Sequence, residues 1–174
     1  MKRSVLTLGA GLLLLCGCTK PVQTMTLTSS AFSDGGMIPA LYTCDGKDLS
    51  PPIAIGNVPK DAKGIALLLH DIDIPSDGGY LHWAVWTAPP DAVTWAEGTV
   101  PAGVTQGIND ANVARYSGPC PPSGSAHHYV FEVFAYAESP PDMWPGSSKV
   151  TIEDNIHAHV IAHGILRGVY AKAP

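Results

Sequence analysis

The feature that most constrains the fold is a series of short apolar segments separated by turns rich in glycine and proline. Gly64 to His70 is a continuous apolar run with the length of one buried β-strand. Tyr80 to Thr87 and Tyr129 to Tyr136 are rich in aromatic and β-branched residues, and Ile53 to Ile55 alternates. The 18 Gly and 16 Pro among 174 residues make up about one fifth of the chain, less than the roughly 25–30% typical of low-complexity disorder. We therefore expect one folded domain that is mainly β.

One helix is expected close to the C-terminus. Thr151 and Asp154 have the spacing of a capping box, and Gly164 is a typical C-terminal stop. Between them, apolar residues recur every four positions: Ile152, Ile156 and Val160. Several strands followed by a single late helix predict an antiparallel β-sandwich with a short C-terminal helical element.

The N-terminus has the pattern of an export signal. Lys2 and Arg3 precede an apolar run from Val5 to Leu15, which is too short to span a bilayer. The run ends in Leu15-Cys16-Gly17-Cys18, which resembles a bacterial lipobox. We expect residues 1–17 to be a lipoprotein signal peptide, residues 18–24 a tether lipidated at Cys18, and residues 25–174 the ligand-binding domain. An ordinary signal peptide cut near Thr19 is the alternative.

The net charge of the chain limits the classes of partner that we expect. The chain has 15 acidic and 10 basic residues and no cluster of Lys and Arg, which argues against nucleic acid as a partner. Removal of residues 1–17 would take away two basic residues and change the net charge from -5 to -7. Such an acidic protein is expected to be held at the bacterial cell envelope, periplasmic or on the outer surface, by acyl chains rather than by attraction to anionic lipid.

The cysteines that remain after processing are Cys44 and Cys120. Two cysteines in an exported, oxidising compartment predict a disulfide. The alternative is a nucleophilic thiol, in which Cys120 acts with His127 or His128.

Strand parity brings a set of polar residues together. In an extended chain, Asp71 and Asp73 continue the apolar row of the strand that precedes them. His127 and Tyr129 share a face by the same parity, and His82 follows the acidic pair after a short loop. These residues predict a site with two carboxylates and two imidazoles. Acids that only cap a loop and histidines that only pack in the core are the competing interpretation.

No motif for a nucleophile or an organic cofactor is present, so we expect a protein without a cofactor that is not an enzyme. A hydrolase that holds a divalent metal through Asp71, Asp73, His82 and His127 is the best enzymatic alternative. His159 and His163 have the spacing of two zinc ligands on one helix face, but partly buried packing histidines are the favoured interpretation, and no metal site is predicted.

Six motifs in order resemble the phosphatidylethanolamine-binding protein family, in its bacterial Raf kinase inhibitor-like branch. They cover nearly all of the chain from about Met25 to Tyr170 and are individually weak. The motifs are Leu41-Tyr42-Thr43-Cys44-Asp45-Gly46, Leu49-Ser50-Pro51-Pro52, Asp71-x-Asp73-x-Pro75, His82-Trp83, Gly118-Pro119-x-Pro121-Pro122 and His127-x-Tyr129-x-Phe131.

The resemblance implies a β-sandwich with Greek-key connections and a small anion pocket. Its residues would bind a phosphate-bearing headgroup such as phosphoethanolamine, because imidazole, phenol and backbone donors suit phosphate and a carboxylate can receive ammonium. It also leaves open a protein that modulates a partner, or a protease or kinase inhibitor that acts through surface loops. The implied ligand-binding residues are Asp71, Asp73, His82, Trp83, Gly118, Pro119, His127 and Tyr129.

Three residues depart from the family pattern. Ile72 replaces a usual Pro and Ile74 a usual Ala, which would change the bend of the Asp-x-Asp loop. His128 stands where the family typically has Arg, and this removes a fixed positive charge beside the site. Whether Arg115 replaces that charge is left open by the sequence.

Overall fold

The computed structural model describes residues 21–76, 78–138 and 143–173. The signal peptide, Cys16 and the predicted lipidation site Cys18 lie outside these residues. Within the described part of the chain, no helix has the length and apolar character needed to cross a bilayer. The strands are β1 Gln23–Thr24, β2 Thr26–Thr28, β3 Gly36–Met37, β4 Ile53–Gly56, β5 Gly64–Asp71, β6 Tyr80–Ala88, β7 Thr94–Trp95, β8 Thr105–Gln106, β9 Ala126–Tyr136 and β10 Val160–Ala171; the helix α1 is Lys149–His159 and a 3-10 turn is Ala40–Tyr42.

The strands form two sheets. The larger has the order β1-β10-β9-β5-β6-β8, with β3 also paired to β10, and the smaller has the order β2-β4-β7. The long strands β10, β9, β5 and β6 pair with one another in antiparallel fashion. β1 and β3 pair with β10 in parallel, so the larger sheet is mixed at that side.

Two apolar layers cover the larger sheet, one on each face. Between the sheets, β5 contributes Ile65, Leu67 and Leu69 to a core that includes Ile53 and Trp95 of the smaller sheet. On the other face, alternate residues of the same strands pack against Ile152 and Ile156 of α1. Burial on both faces explains why β5 is apolar at nearly every position rather than at alternate ones.

The predicted fold class is confirmed: the protein is mainly β, with a helix near the C-terminus. The helix begins earlier and ends earlier than the sequence pattern indicated, with the Ser148 side chain accepting a hydrogen bond from the Thr151 N–H at its start. Gly164 does not end the helix, because it lies inside β10, where a Cβ would come within 2.6 Å of the Met25 carbonyl oxygen. His159 and His163 therefore belong to different elements, and the helix-face pair does not form.

Candidate functional site

A cavity of about 380 Å³ lies at the end of the larger sheet where β5 ends and β6 begins. It is bounded by the ends of strands and by the loops that precede β4 and β9. Three of the predicted site residues, Asp71, His82 and Gly118, line it. The complete lining is Cys44, Asp48, Asp71, Ile74, Tyr80, His82, Ala111, Ser117, Gly118 and Cys120.

A β-bulge places His82 in this cavity. Leu69 pairs with Trp83, but the next residue of β5, His70, pairs with Leu81, so His82 is the extra residue of β6. An extra residue interrupts the alternation of side chains along a strand and turns one of them toward a different face. The His82 ring accordingly packs against the rings of Tyr80, at 4.8 Å, and Tyr129, at 5.4 Å between centroids.

The carboxylate of Asp71 is held by two hydrogen bonds. The Nδ1–H of His127 donates to Oδ2 over 2.7 Å, and the backbone N–H of Asp73 donates to Oδ1 over 2.9 Å. Asp71 is buried and directly opposite Tyr129 in the ladder between β5 and β9. His127 lies behind Asp71 rather than in the cavity lining, and it fixes the orientation of this carboxylate.

His82 is held in one orientation and in its neutral form. Its Nδ1–H donates to the carbonyl oxygen of Ser117 over 2.8 Å. Burial lowers the pKa of His82, because the charged ring loses its solvation, and this outweighs the opposing effects of the Ser117 hydrogen bond and of the Asp71 charge. In the neutral ring, Nε2 is then the atom that remains for a ligand.

The hydroxyl of Tyr129 is buried and makes no hydrogen bond of ordinary geometry among the described residues. Burial raises the pKa of Tyr129, and the neighbouring Asp71 charge raises it further, so the hydroxyl stays protonated. Its contacts with the Asp71 carboxylate and the Cys120 backbone fall short of that geometry. A buried hydroxyl with incomplete hydrogen bonds costs free energy, and such a cost is typical of sites that complete their hydrogen bonds with a ligand or water.

The predicted disulfide is confirmed and forms part of the cavity wall. Cys44 and Cys120 are bonded, with their Cα atoms 5.4 Å apart. The backbone N–H of Cys44 also donates to the Pro119 carbonyl oxygen over 3.1 Å. Cys120 therefore carries no free thiol, and the nucleophilic role considered with His127 or His128 is excluded.

Asp48, which the sequence pattern did not indicate, also lines the cavity. Its Oδ1 accepts a hydrogen bond of 2.6 Å from the backbone N–H of Gly118, and its Oδ2 is 3.2 Å from Nη1 of Arg115. The Gly118 N–H that was expected to bind an anion is therefore already used. Glycine is needed here because a Cβ would lie 2.4 Å from the Tyr42 carbonyl oxygen. A turn with three charged residues in four, from Asp45 to Asp48, is the only signal that the sequence offered.

Five predicted residues lie outside the cavity lining: His127 and Tyr129, described above, and Asp73, Trp83 and Pro119. The side chain of Asp73 is 38% exposed and accepts hydrogen bonds from the ring Nδ1–H and from the backbone N–H of His128. Both hydrogen bonds lower the pKa of Asp73. Trp83 is buried in the core against Trp95 and Tyr116, and its Nε1–H donates to Gln106. Pro119 contributes its carbonyl oxygen to the wall rather than a surface to the ligand. Tyr80, in turn, lines the cavity but was not predicted.

The residues of the site include one group that can hold a metal ion. One ligand atom each from Asp71, Asp73 and His127 lie within 4.8 Å of one another. His82 is not part of this group. Both carboxylates also accept hydrogen bonds from neighbouring groups within the site.

A second polar cluster lies on the opposite face of the larger sheet, beside a cavity of about 420 Å³ under α1. His70 of β5 is 2.8 Å from a carboxylate oxygen of Glu153 in α1 and 3.8 Å from one of Glu132 in β9. The other oxygen of Glu132 is 3.1 Å from Nε2 of His163 in β10. We call His70, Glu132, Glu153 and His163 the helix-side cluster.

The fold and the cavity define the class of protein: a β-sandwich domain with a small pocket at one end of its larger sheet. A family profile described as phosphatidylethanolamine-binding protein matches residues 28–171. The chain belongs to the phosphatidylethanolamine-binding protein family.

Relatives and solved structures agree with this assignment. The chain is 40% identical over 153 residues to a UPF0098 protein of Methanothermobacter thermautotrophicus, covering 85% of this chain and 99% of the relative. It is similar to the crystal structure of a putative phosphatidylethanolamine-binding protein homologue from Chlamydia trachomatis, with a TM-score of 0.79, 36% identity and coverage of 86% and 99% of the two chains. An E. coli protein described as a new member of the mammalian family matches with a TM-score of 0.79, 28% identity and coverage of 84% and 98%.

Proposed function

We propose that the protein is a non-catalytic binding protein whose cavity takes a zwitterionic, phosphate-bearing headgroup such as phosphoethanolamine. The observation that carries this proposal is the cavity of about 380 Å³ in which the buried, oriented imidazole of His82 and the carboxylate of Asp71 both take part in the lining. Family membership supports binding rather than catalysis.

The charges of the cavity favour a zwitterion over a bare anion. Two carboxylates, Asp48 and Asp71, are in the lining, whereas Arg115 is not. Ammonium suits these carboxylates, because each retains lone pairs beyond its present hydrogen bonds. The phosphate suits His82 and Tyr80, which also line the cavity: a protonated phosphate oxygen can donate to Nε2 of His82, and the Tyr80 hydroxyl can donate to another oxygen.

We also propose that the protein is exported and anchored by lipid at Cys18. A phospholipid would donate its diacylglyceryl group: the bond from carbon to Sγ forms, the donor's carbon–oxygen bond to phosphate breaks, and the thiol proton leaves with the released headgroup. Water would then hydrolyse the Gly17–Cys18 peptide bond. Two acyl chains give stable membrane attachment without any basic surface, which suits a chain whose net charge is -7 once residues 1–17 are removed.

Calorimetric titration tests the proposed ligand. Phosphoethanolamine should bind the purified protein more tightly than inorganic phosphate or ethanolamine alone. His82→Ala should weaken this binding at least tenfold, which is about 1.4 kcal/mol. The matched control is His128→Ala, since that imidazole is 59% exposed and lies outside the cavity lining. Equal binding of phosphoethanolamine by the His82 variant would contradict the proposal.

A metal-dependent hydrolase is the second candidate, and the close approach of Asp71, Asp73 and His127 favours it. Two carboxylates and one imidazole suit a divalent cation that keeps open positions for water and substrate. Stoichiometric metal in the purified protein, lost in Asp73→Asn and kept in His82→Ala, would favour this candidate over the headgroup-binding one.

A further inference from the structure

The chain enters the domain at the end of the larger sheet that is opposite the pocket. β1 pairs with the first part of β10, with Gln23 opposite Ala162, and the Met25 N–H donates to the His163 carbonyl oxygen. The last part of β10 lies beside the pocket instead, because Tyr170 is opposite His127. From Ala162 to Tyr170 an extended strand advances by about 26 Å, at roughly 3.3 Å per residue.

The direction of β1 shows where the preceding residues lead. β1 is parallel to β10, so a step back from Thr24 to Gln23 is a step from His163 to Ala162 along β10. That step moves away from Tyr170 and the pocket. The segment from Cys18 to Gln23 spans at most about 18 Å even when fully extended, which is shorter than the distance along β10 to the pocket.

We infer that the pocket of the anchored protein points away from the membrane that holds the lipid, and that it takes its zwitterionic phosphate ligand from the aqueous compartment rather than from the phospholipids of that membrane. This inference rests on the proposed headgroup binding and on the proposed anchor at Cys18. It adds the source of the ligand: a water-soluble phosphate ester of an amino alcohol, with no acyl chains attached.

The cavity is consistent with a ligand that lacks acyl chains. A volume of about 380 Å³ holds a headgroup, and the only aliphatic side chains in the lining are Ile74 and Ala111, too few to cover an acyl chain. Apolar ligands bind in pockets that are lined mainly by hydrophobic and aromatic side chains.

Energy transfer from single labels to a dye in the bilayer tests the orientation. The lipidated full chain, extracted from membranes under non-reducing conditions, is placed in phosphatidylcholine vesicles. One variant carries a fluorophore at Lys63→Cys, an exposed position next to Gly64 at the entry end. The matched variant carries it at Ser123→Cys, an exposed position in the turn that follows the disulfide. Neither residue lines the pocket.

We expect clearly higher transfer efficiency from the Lys63 label than from the Ser123 label. Equal efficiencies, or a higher one at Ser123, would overturn the inference. A purified chain without acyl groups would overturn it as well, since the anchor would then be absent.

Titration of the anchored protein tests the ligand source. Phosphoethanolamine should bind with the same dissociation constant, within twofold, in vesicles of phosphatidylglycerol alone, whose headgroup has no ammonium, and in vesicles that also contain phosphatidylethanolamine. An apparent dissociation constant at least tenfold weaker in the second set would show competition by lipids of the same membrane and would contradict the inference.

The same ligand added to the lipidated protein in a maltoside detergent, with no phospholipid present, separates the two proposals. Absence of binding there would refute the proposed headgroup function, while the energy-transfer result would still report the orientation. Binding there, together with competition in the anchored form, would refute only the inference about the source of the ligand.

Discussion

Neighbouring residues of β5 lie on opposite faces of the larger sheet and in two very different polar clusters. His70 belongs to the helix-side cluster, where its two ring nitrogens face carboxylates of Glu153 and Glu132. Asp71 belongs to the pocket, where the Tyr129 hydroxyl has no ordinary hydrogen bond among the described residues. The cavity beside the helix-side cluster is the larger of the two, at about 420 Å³ against about 380 Å³.

The difference suggests a criterion for the proposed binding site: unused hydrogen-bonding capacity distinguishes it from the helix-side cavity, whereas cavity size does not. In the helix-side cluster, imidazoles and carboxylates from four elements satisfy one another and connect α1 to the sheet. In the pocket, the Ser117 and His127 hydrogen bonds orient His82 and Asp71 but leave atoms for a ligand. Buried polar groups that are matched contribute to stability, and unmatched ones indicate function.

Removal of the disulfide should have the largest effect, since it changes both the pocket wall and the stability of the whole domain. The Cys44–Cys120 bridge closes a loop with a sequence separation of 76. On the chain-entropy model, Cys44→Ala with Cys120→Ala should lower the free energy of unfolding by roughly 4 kcal/mol. Denaturant unfolding measures this loss, and phosphoethanolamine titration at low temperature should show weaker binding. Unchanged affinity in the folded double variant would show that the bridge does not hold the pocket.

Truncation of His70 should affect stability without affecting binding. His70→Ala leaves the partly buried carboxylate of Glu153 without its imidazole partner and leaves Glu132 with His163 alone. The expected cost is about 2–3 kcal/mol in the free energy of unfolding. The affinity for phosphoethanolamine should stay within twofold of the original, because His70 lies across the sheet from the pocket. A large loss of affinity in a well-folded His70 variant would show that the two clusters are coupled.

The pH dependence of anion binding by the pocket should depend on His82 and not on His70 of the helix-side cluster. Burial lowers the pKa of His82 below its usual value near 6.5, so protonation of the pocket begins only under mildly acidic conditions. Once protonated, Nε2–H becomes a donor, and sulfate, which does not titrate in this range, should bind more tightly as the pH falls below about 6.5. The expected gain is several-fold by titration. His82→Gln should remove it, whereas His70→Ala should not.

The lowered pKa of His82 also determines how the free energy of unfolding changes with pH. The unfolded chain binds the His82 proton more readily than the folded protein does, so the contribution of neutral His82 is present above about pH 6.5 and is lost as the pH falls. Glu132 contributes a second loss of stability at acidic pH, which forms the acidic limb of the plot of stability against pH. Burial alone would raise its pKa, but the hydrogen bond and charge of His163 together with the other nearby histidines lower it overall. Its contribution is lost as the pH falls below about 4.5, and Glu132→Gln should flatten that limb of the unfolding curve.

The smallest effect is expected for Arg115. Its side chain is 60% exposed and contacts Asp48 at 3.2 Å, so Arg115→Gln should change the free energy of unfolding by no more than about 0.5 kcal/mol. The affinity for inorganic phosphate should fall about twofold, because the Asp48 carboxylate then loses its nearest positive charge. A tenfold loss would instead show that Arg115 binds the ligand and replaces the charge that His128 does not supply.

The sequence predicted what depends on periodicity and on motif order. The apolar run in β5, the aromatic strands β6 and β9, the disulfide and the contribution of Asp71 and His82 to one cavity all follow from patterns that are local or conventional. It did not predict that β1 and β3 pair in parallel with β10, because such pairing depends on contacts between the two ends of the chain.

The site departed from the expectation wherever a backbone irregularity decided the direction of a side chain. The bulge in β6 shifts the pairing by one residue at His82, and simple alternation does not anticipate it. Trp83 follows the regular face and is buried in the core, although it is adjacent in the motif. Asp48 reaches the cavity from a distant turn in which its own φ is 56°, a backbone geometry that no spacing pattern reports.

The parallel pairing of β1 with β10 also bears on how the protein folds. The first strand of the described chain finds its partner only in the last one, so the larger sheet has a high contact order and is expected to fold slowly. No shortened chain that lacks the final 12-residue strand can complete that sheet. Until β10 is synthesised and pairs with β9, the edge of β9 stays exposed. Such an edge is the kind of surface that holding chaperones protect from aggregation.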